Sequence, residues 1–185
     1  MLIISATAMA APDSQQVGPY AVSFDLDADY QVQVAEPMES EKGNAYSMAL
    51  VFDNSTGASI IIAENPNQID ATLDVYKQLM LYELILYKGL NTTNIEDLEI
   101  DGKESFLLTA EPIEASEGVP NEFYRAMYWL DSADFGPVSA GTTSVTITST
   151  YPLDVTEGLL SSLRIVKGEA SAAAPANGGQ VLPPE

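Results

Sequence analysis

The chain has 185 residues, 27 of them acidic and 7 basic, for a formal charge of −20. That surplus excludes nucleic-acid binding by phosphate neutralisation and opposes contact with anionic membrane surfaces. Cys and His do not occur, which excludes disulfides, thiol chemistry, His/Cys zinc centres and histidine-based triads.

In chain order, Met1–Ala10 is an apolar run ending in Ala8-Met9-Ala10. Small residues three and one positions before a cut suit a signal-peptidase pocket. Residues 1–11 are therefore expected to be a leader, and the protein to be exported. No other stretch approaches the roughly 18–20 continuous apolar residues of a membrane span, so no transmembrane span is expected. Tyr20–Leu26 and Tyr30–Glu36 both alternate, with Asp27-Ala28-Asp29 between them, and predict a hairpin. Ala45–Phe52 and Ala58–Ala63, joined by Asp53-Asn54-Ser55-Thr56-Gly57, predict a second.

The period then changes. Ile69, Leu73, Tyr76, Met80, Leu84 and Tyr87 recur at steps of three and four, which predicts a helix of about twenty residues. Asn65-Pro66 or Asn67 caps its start, Asp70 and Asp74 suit its positive end, and Lys88-Gly89 closes it. Its second half is apolar nearly all round, so burial on more than one side is expected. Strands are expected again at Asn94–Ile100, Glu104–Ala110, Glu122–Leu130 and Ser144–Tyr151, bounded by Asp101-Gly102, Ser116-Glu117-Gly118 and Ser139-Ala140-Gly141. A last helix starts near Asp154, with Val155, Leu159, Leu160 and Leu163 on one side. The stretch from Gly168 to Glu185 is small, Pro/Gly-rich and unpatterned, and is expected to be a disordered tail. The fold class predicted is α+β: one antiparallel sheet of about six to eight strands, one long central helix and a short C-terminal helix.

This order of elements resembles the PsbP-like fold, shared by the extrinsic photosystem protein PsbP and a Ran-binding nuclear-import factor. The resemblance rests on opening hairpins, a long helix after an aliphatic strand, and a strand running through Tyr151-Pro152 into a closing helix. It covers residues 18–167 as a single domain. The stretches Gly18-Pro19-Tyr20-Ala21-Val22-Ser23-Phe24-Asp25, Ile100-Asp101-Gly102-Lys103 and Tyr151-Pro152-Leu153-Asp154-Val155-Thr156 also look like exported proteins of methanogenic archaea. The resemblance implies a binding or assembly role rather than catalysis.

Candidate chemistry is sparse. Counting Asp25 as position 1, acids stand at positions 1, 3, 5 and 12, as Asp25, Asp27, Asp29 and Glu36. That spacing suits a calcium loop, but position 6 is Tyr30 where a sharp loop needs Gly, and the alternation around it favours a plain hairpin. A looser calcium site at the turn would use Asp25, Asp27 and Asp29. Glu96, Asp97, Glu99 and Asp101 alternate out along a strand, as on an edge kept soluble by like charges. Phe123, Arg125, Met127 and Trp129 share one strand face. With Arg125 outward, Arg125 and Trp129 would anchor a partner; with that face packed under a helix, the Arg head would reach one of the many acids instead. Asn54 and Asn91 head N-glycosylation sequons. No phosphate-binding loop, dinucleotide fingerprint or G-x-S-x-G elbow occurs. The expectation is an exported, non-catalytic binding or assembly module of the cell envelope or extracellular space, whose partner is a protein or envelope component. A calcium-binding protein is the alternative, and a hydrolase working with paired carboxylates the third reading.

Overall fold

The computed structural model describes residues 12–41, 43–65, 73–116, 118–131 and 141–168. Alternating segments dominate, and they pair into two antiparallel sheets. The smaller contains β1 (Asp13–Val17), β2 (Tyr20–Phe24) and β11 (Arg164–Lys167), in the order β1-β2-β11. The larger contains β3 (Gln31–Val34), β4 (Met38–Ser40), β5 (Gly43–Val51), β6 (Gly57–Glu64), β7 (Leu90–Ile100), β8 (Lys103–Pro112), β9 (Phe123–Trp129) and β10 (Thr143–Ser149). Its order is β3-β5-β6-β10-β9-β8-β7, with β4 continuing beside β5. Helix α1 (Leu73–Glu83) follows β6, and α2 (Leu153–Ser162) precedes β11.

The layers follow from which side chains are apolar. On one face of the large sheet, Met48, Leu50, Ile60, Ile62, Leu107, Ala126, Tyr128, Val145 and Ile147 meet Tyr20, Val22 and Phe24 of β2 and Leu159, Leu160 and Leu163 of the α2 segment. On the other face, Phe106, Leu108, Met127 and Trp129 meet Leu73, Met80 and Leu84 of the α1 segment. The result is three layers: the small sheet with α2, the large sheet, and α1.

Turn chemistry sets the registers. Gly18 (φ +58°) opens the two-residue β1–β2 turn, and a side chain there would strike the Tyr46 ring, 2.1 Å from an ideal Cβ. Asp101 (φ +54°) and Gly102 (φ +69°) form the two-residue β7–β8 turn, the left-handed pair that matches strand twist. Asp53 Oδ1 accepts the N–H groups of Ser55 and Thr56, both at 2.7 Å, closing the β5–β6 turn. These backbone hydrogen bonds, Ser55 first, hold the Asp53 carboxyl below the usual range.

The predicted α+β class is corrected here. The chain is mainly antiparallel β, with more than half of its described residues in strands. Among the described residues there is no long central helix: α1 has 11 residues, and the backbone then widens into a π-helical turn, Leu84–Lys88. That turn closes at Gly89 (φ +64°), whose N–H donates to the Leu84 carbonyl. Leu73, Tyr76, Met80 and Leu84 do face the sheet, so this part of the stripe is real. The expected start at Pro66, Asn67, Ile69 and Asp70 lies outside the described residues, as do the leader at 1–11 and the tail beyond Gly168. The first predicted hairpin is also corrected. Tyr20–Phe24 and Gln31–Val34 lie in different sheets, because β2 finds its partners in β1 and β11. The acidic segment between them is a crossing from one layer to the next. Among the described residues no helix is long and apolar enough to cross a membrane.

Candidate functional site

The site grows from β9. Its even positions, Tyr124, Ala126 and Tyr128, point into the core shared with the small sheet, and its odd positions, Phe123, Arg125, Met127 and Trp129, point toward α1. Trp129 is 2 % exposed, and its ring stands edge-on to Tyr76 of α1 with centroids 5.4 Å apart. It is core, so of the two readings of this strand face the packed one holds, and Trp129 is corrected as a partner-binding residue. Arg125 Nη1 donates to Glu83 Oε2 of α1 at 3.0 Å, and Arg125 Nε is buried without a hydrogen-bond partner. The guanidinium therefore ties helix to sheet. On the other flank, Lys77 of α1 bonds Asp97 on β7 and lies over the Phe106 ring.

Because opposite residues in antiparallel strands point the same way, the face carrying Arg125 can be followed across the sheet. Leu108, Arg125, Thr148, Ser59 and Ala49 form one row, and Phe106, Met127, Thr146, Ile61 and Ser47 the next. Helix α1 covers the β8–β9 end of these rows. Beyond it, Thr146, Thr148, Ser59, Ser47 and Ala49 are half-exposed, and Ile61 is 40 % exposed. A cleft of about 650 Å³ runs where helix meets open sheet, lined by Glu83, Leu84, Arg125, Thr148, Ser59 and Ile61 among others. Leu79 and Tyr82 on α1, and Leu86 in the π-helical turn after it, point away from the sheet and are 53–67 % exposed. A second depression, of about 840 Å³, lies on the far side of the β8–β9 connection and is lined by Glu111, Asn121, Glu122, Tyr124 and Tyr151. Burial first, and then the Glu122 carboxylate that accepts its O–H, keep Tyr124 neutral.

The remaining candidates are spread apart. Asp25, Asp27 and Asp29 are exposed along the crossing between sheets. Asp25 exchanges backbone hydrogen bonds with Ser162 Oγ, and the Asp29 carbonyl accepts the Tyr151 hydroxyl at 3.3 Å. Among the described residues no three acidic side chains converge as a group able to hold a metal ion. Asn54 is exposed in the β5–β6 turn, and Asn91 is exposed near the start of β7, within the strand. Glu96, Asp97 and Glu99 are exposed on β7, which is an edge of the large sheet. Asp101 leaves that series. Its carboxylate accepts the Ile165 N–H at 3.2 Å and neighbours Lys103 and Arg164, joining the two sheets.

Sequence reasoning missed the exposed stripe Leu79-Tyr82-Leu86. Its signal was present in a helix half apolar on both sides, but periodicity alone assigns both sides to the core. It also missed the shelf around Thr148, since alternation in Ser144–Tyr151 shows two faces without showing which is covered.

Comparison with family models, with curated proteins and with solved structures finds no match to this chain. The PsbP-like resemblance therefore carries none of the argument that follows.

Proposed function

We propose that this protein is an exported, non-catalytic module of the cell envelope or extracellular space that binds another protein or envelope component. The observation that carries the reading is α1. Together with the π-helical turn that continues it, α1 packs one side on the sheet through Leu73, Met80 and Leu84, yet presents Leu79, Tyr82 and Leu86 to solvent on the other. Three large apolar side chains in one stripe, beside an apolar-walled cleft, are what a docking partner covers. Export is supported by the Ala8-Met9-Ala10 run and by the exposure of both sequon asparagines, Asn54 and Asn91. The calcium and carboxylate-hydrolase readings have no comparable arrangement to support them.

The test compares the full-length wild-type chain with a Leu79→Glu/Tyr82→Glu variant as bait in native envelope extracts. Both positions are solvent-facing, so the melting temperature should move by no more than about 2–4 °C. A component retained by the wild type and lost with the variant supports the reading. Equal retention by both, or no specific retention by either, refutes it.

A further inference from the structure

The half of the large sheet that no described element covers has the dimensions of a missing layer. From β10 through β6 and β5 to β3 there are three inter-strand steps of about 4.8 Å, roughly 14 Å in all. One α-helix with its side chains is about 10–12 Å across. The floor is made of short side chains, Thr146, Thr148, Ser59, Ser47 and Ala49, with Ile61 projecting at its centre. Short side chains let a helix backbone approach closely, and Ile61 offers it an apolar contact. One wall is the flank of α1, which places Glu83 and Leu84 against the same cleft as Ile61, Ser59 and Thr148.

Charge selects the occupant. Lys77 pairs with Asp74 and Asp97, Lys103 and Arg164 with Asp101, Arg125 with Glu83, and Lys167 with Glu64. Each of these five cations already has an acid beside it, and the chain as a whole is left with 20 negative charges in excess. Among the described side chains around the shelf, Glu114 is exposed and lines the cleft, and Glu36 and Glu41 are exposed on either side of β4 at the sheet edge. A second copy of this chain would bring the same surplus. An anionic lipid surface would be repelled by it.

We infer that the shelf beside α1 receives a cationic amphipathic helix of the partner, apolar face on Ile61 and Leu79 and basic residues toward the acidic rims. The inference rests on the binding role proposed above and names the partner's chemistry. It is recognition of the helix-in-groove kind, with opposite charge steering the encounter.

The full-length chain reports on this directly, because its single Trp, Trp129, lies under α1 against Tyr76. The probe is a Trp-free leucine–lysine peptide of about 18 residues with helical spacing, long enough to hold a helix. A leucine–glutamate peptide of the same pattern and a scrambled leucine–lysine peptide are the controls. Binding is read by Trp129 emission and by calorimetry. The patterned lysine peptide should bind saturably, at least tenfold tighter than either control, and weaken with added salt. Ile61→Lys and Leu79→Lys should each weaken it at least tenfold, whereas Val166→Lys, the same charge change on exposed β11, should not. Equal binding of the scrambled peptide, or undiminished binding by both shelf variants, would overturn the inference. So would a sedimenting dimer dissolved by Leu79→Lys, which gives the face to a second copy. If the peptide fails while the Leu79→Glu/Tyr82→Glu bait still loses its envelope component, the binding role stands and only the cationic helix falls.

Discussion

Glu64 shows how much one side chain organises here. It stands at the end of β6, 15 % exposed, and accepts hydrogen bonds from Lys167 Nζ at 2.7 Å, Tyr20 at 2.5 Å and Tyr46 at 3.4 Å. Those donors come from β11, β2 and β5, so a single carboxylate joins the small sheet to the large one. Burial by itself would raise its pKa, but the hydrogen bonds and the Lys167 charge outweigh that and hold it below the usual range. A carboxyl with a depressed folded pKa contributes its stability above the unfolded value of about 4.3, and that contribution is lost as pH falls through the folded value. Glu64→Gln should therefore cost about 1–3 kcal/mol at neutral pH. It should also flatten the acid limb of a urea-midpoint profile below about pH 4.5. An unchanged acid limb would mean that other carboxylates carry the linkage. Nothing in the sequence singles out Glu64 among 27 acids, because its three partners are 18 to 103 residues away.

At the scale of elements, local chemistry was legible and pairing was not. The β5–β6 hairpin, the Asp101-Gly102 turn, the Gly89 stop and α2 all follow from residues within a few positions of one another. The opening strands do not, since Tyr20–Phe24 alternates equally well whichever neighbour it takes. Its actual neighbours are β1, with no apolar alternation to announce it, and β11, more than 140 residues later. Gly18 makes this register checkable. Its left-handed φ and the Tyr46 ring against it leave no room for a side chain. Gly18→Ala should thus lower stability by about 2–4 kcal/mol, from the strained φ and the clash together. Tyr46→Ala in the Gly18→Ala background should recover part of that loss. A cost under about 0.5 kcal/mol would show that the turn does not lock the small sheet on the large one.

For the whole molecule, the tyrosines set the alkaline limit. Burial first, and nearby carboxylates second, raise the hydroxyls of Tyr20, Tyr124 and Tyr151, while Tyr128, deep in the core, is raised by burial and by Asp101. Tyr30, half-buried and bonded to Asp13, is pushed up to about 12 by the same two causes. These groups stay neutral in the fold and ionise near pH 10 once unfolded. Their contribution is complete below about pH 10 and is lost as pH rises from there through the folded values. Urea midpoints should hold level from about pH 8 to 9.5 and fall steeply above 10, together with the appearance of tyrosinate absorbance. A level profile to about pH 11.5 would contradict this account.

By itself, the sequence determined the class of chemistry available, the sign of the surface, most strand positions and the turns between neighbouring strands. Each of these depends on residue type or on spacing of a few positions. Only the tertiary structure decided that β2 leaves its expected hairpin, that Trp129 lies inside while Leu79 and Tyr82 lie outside, and that the described elements leave half a sheet face open beside α1. The physical reason is common to all three. Alternation and helical periodicity divide a segment into faces, but which face is buried depends on what distant segments have apolar area left to cover it.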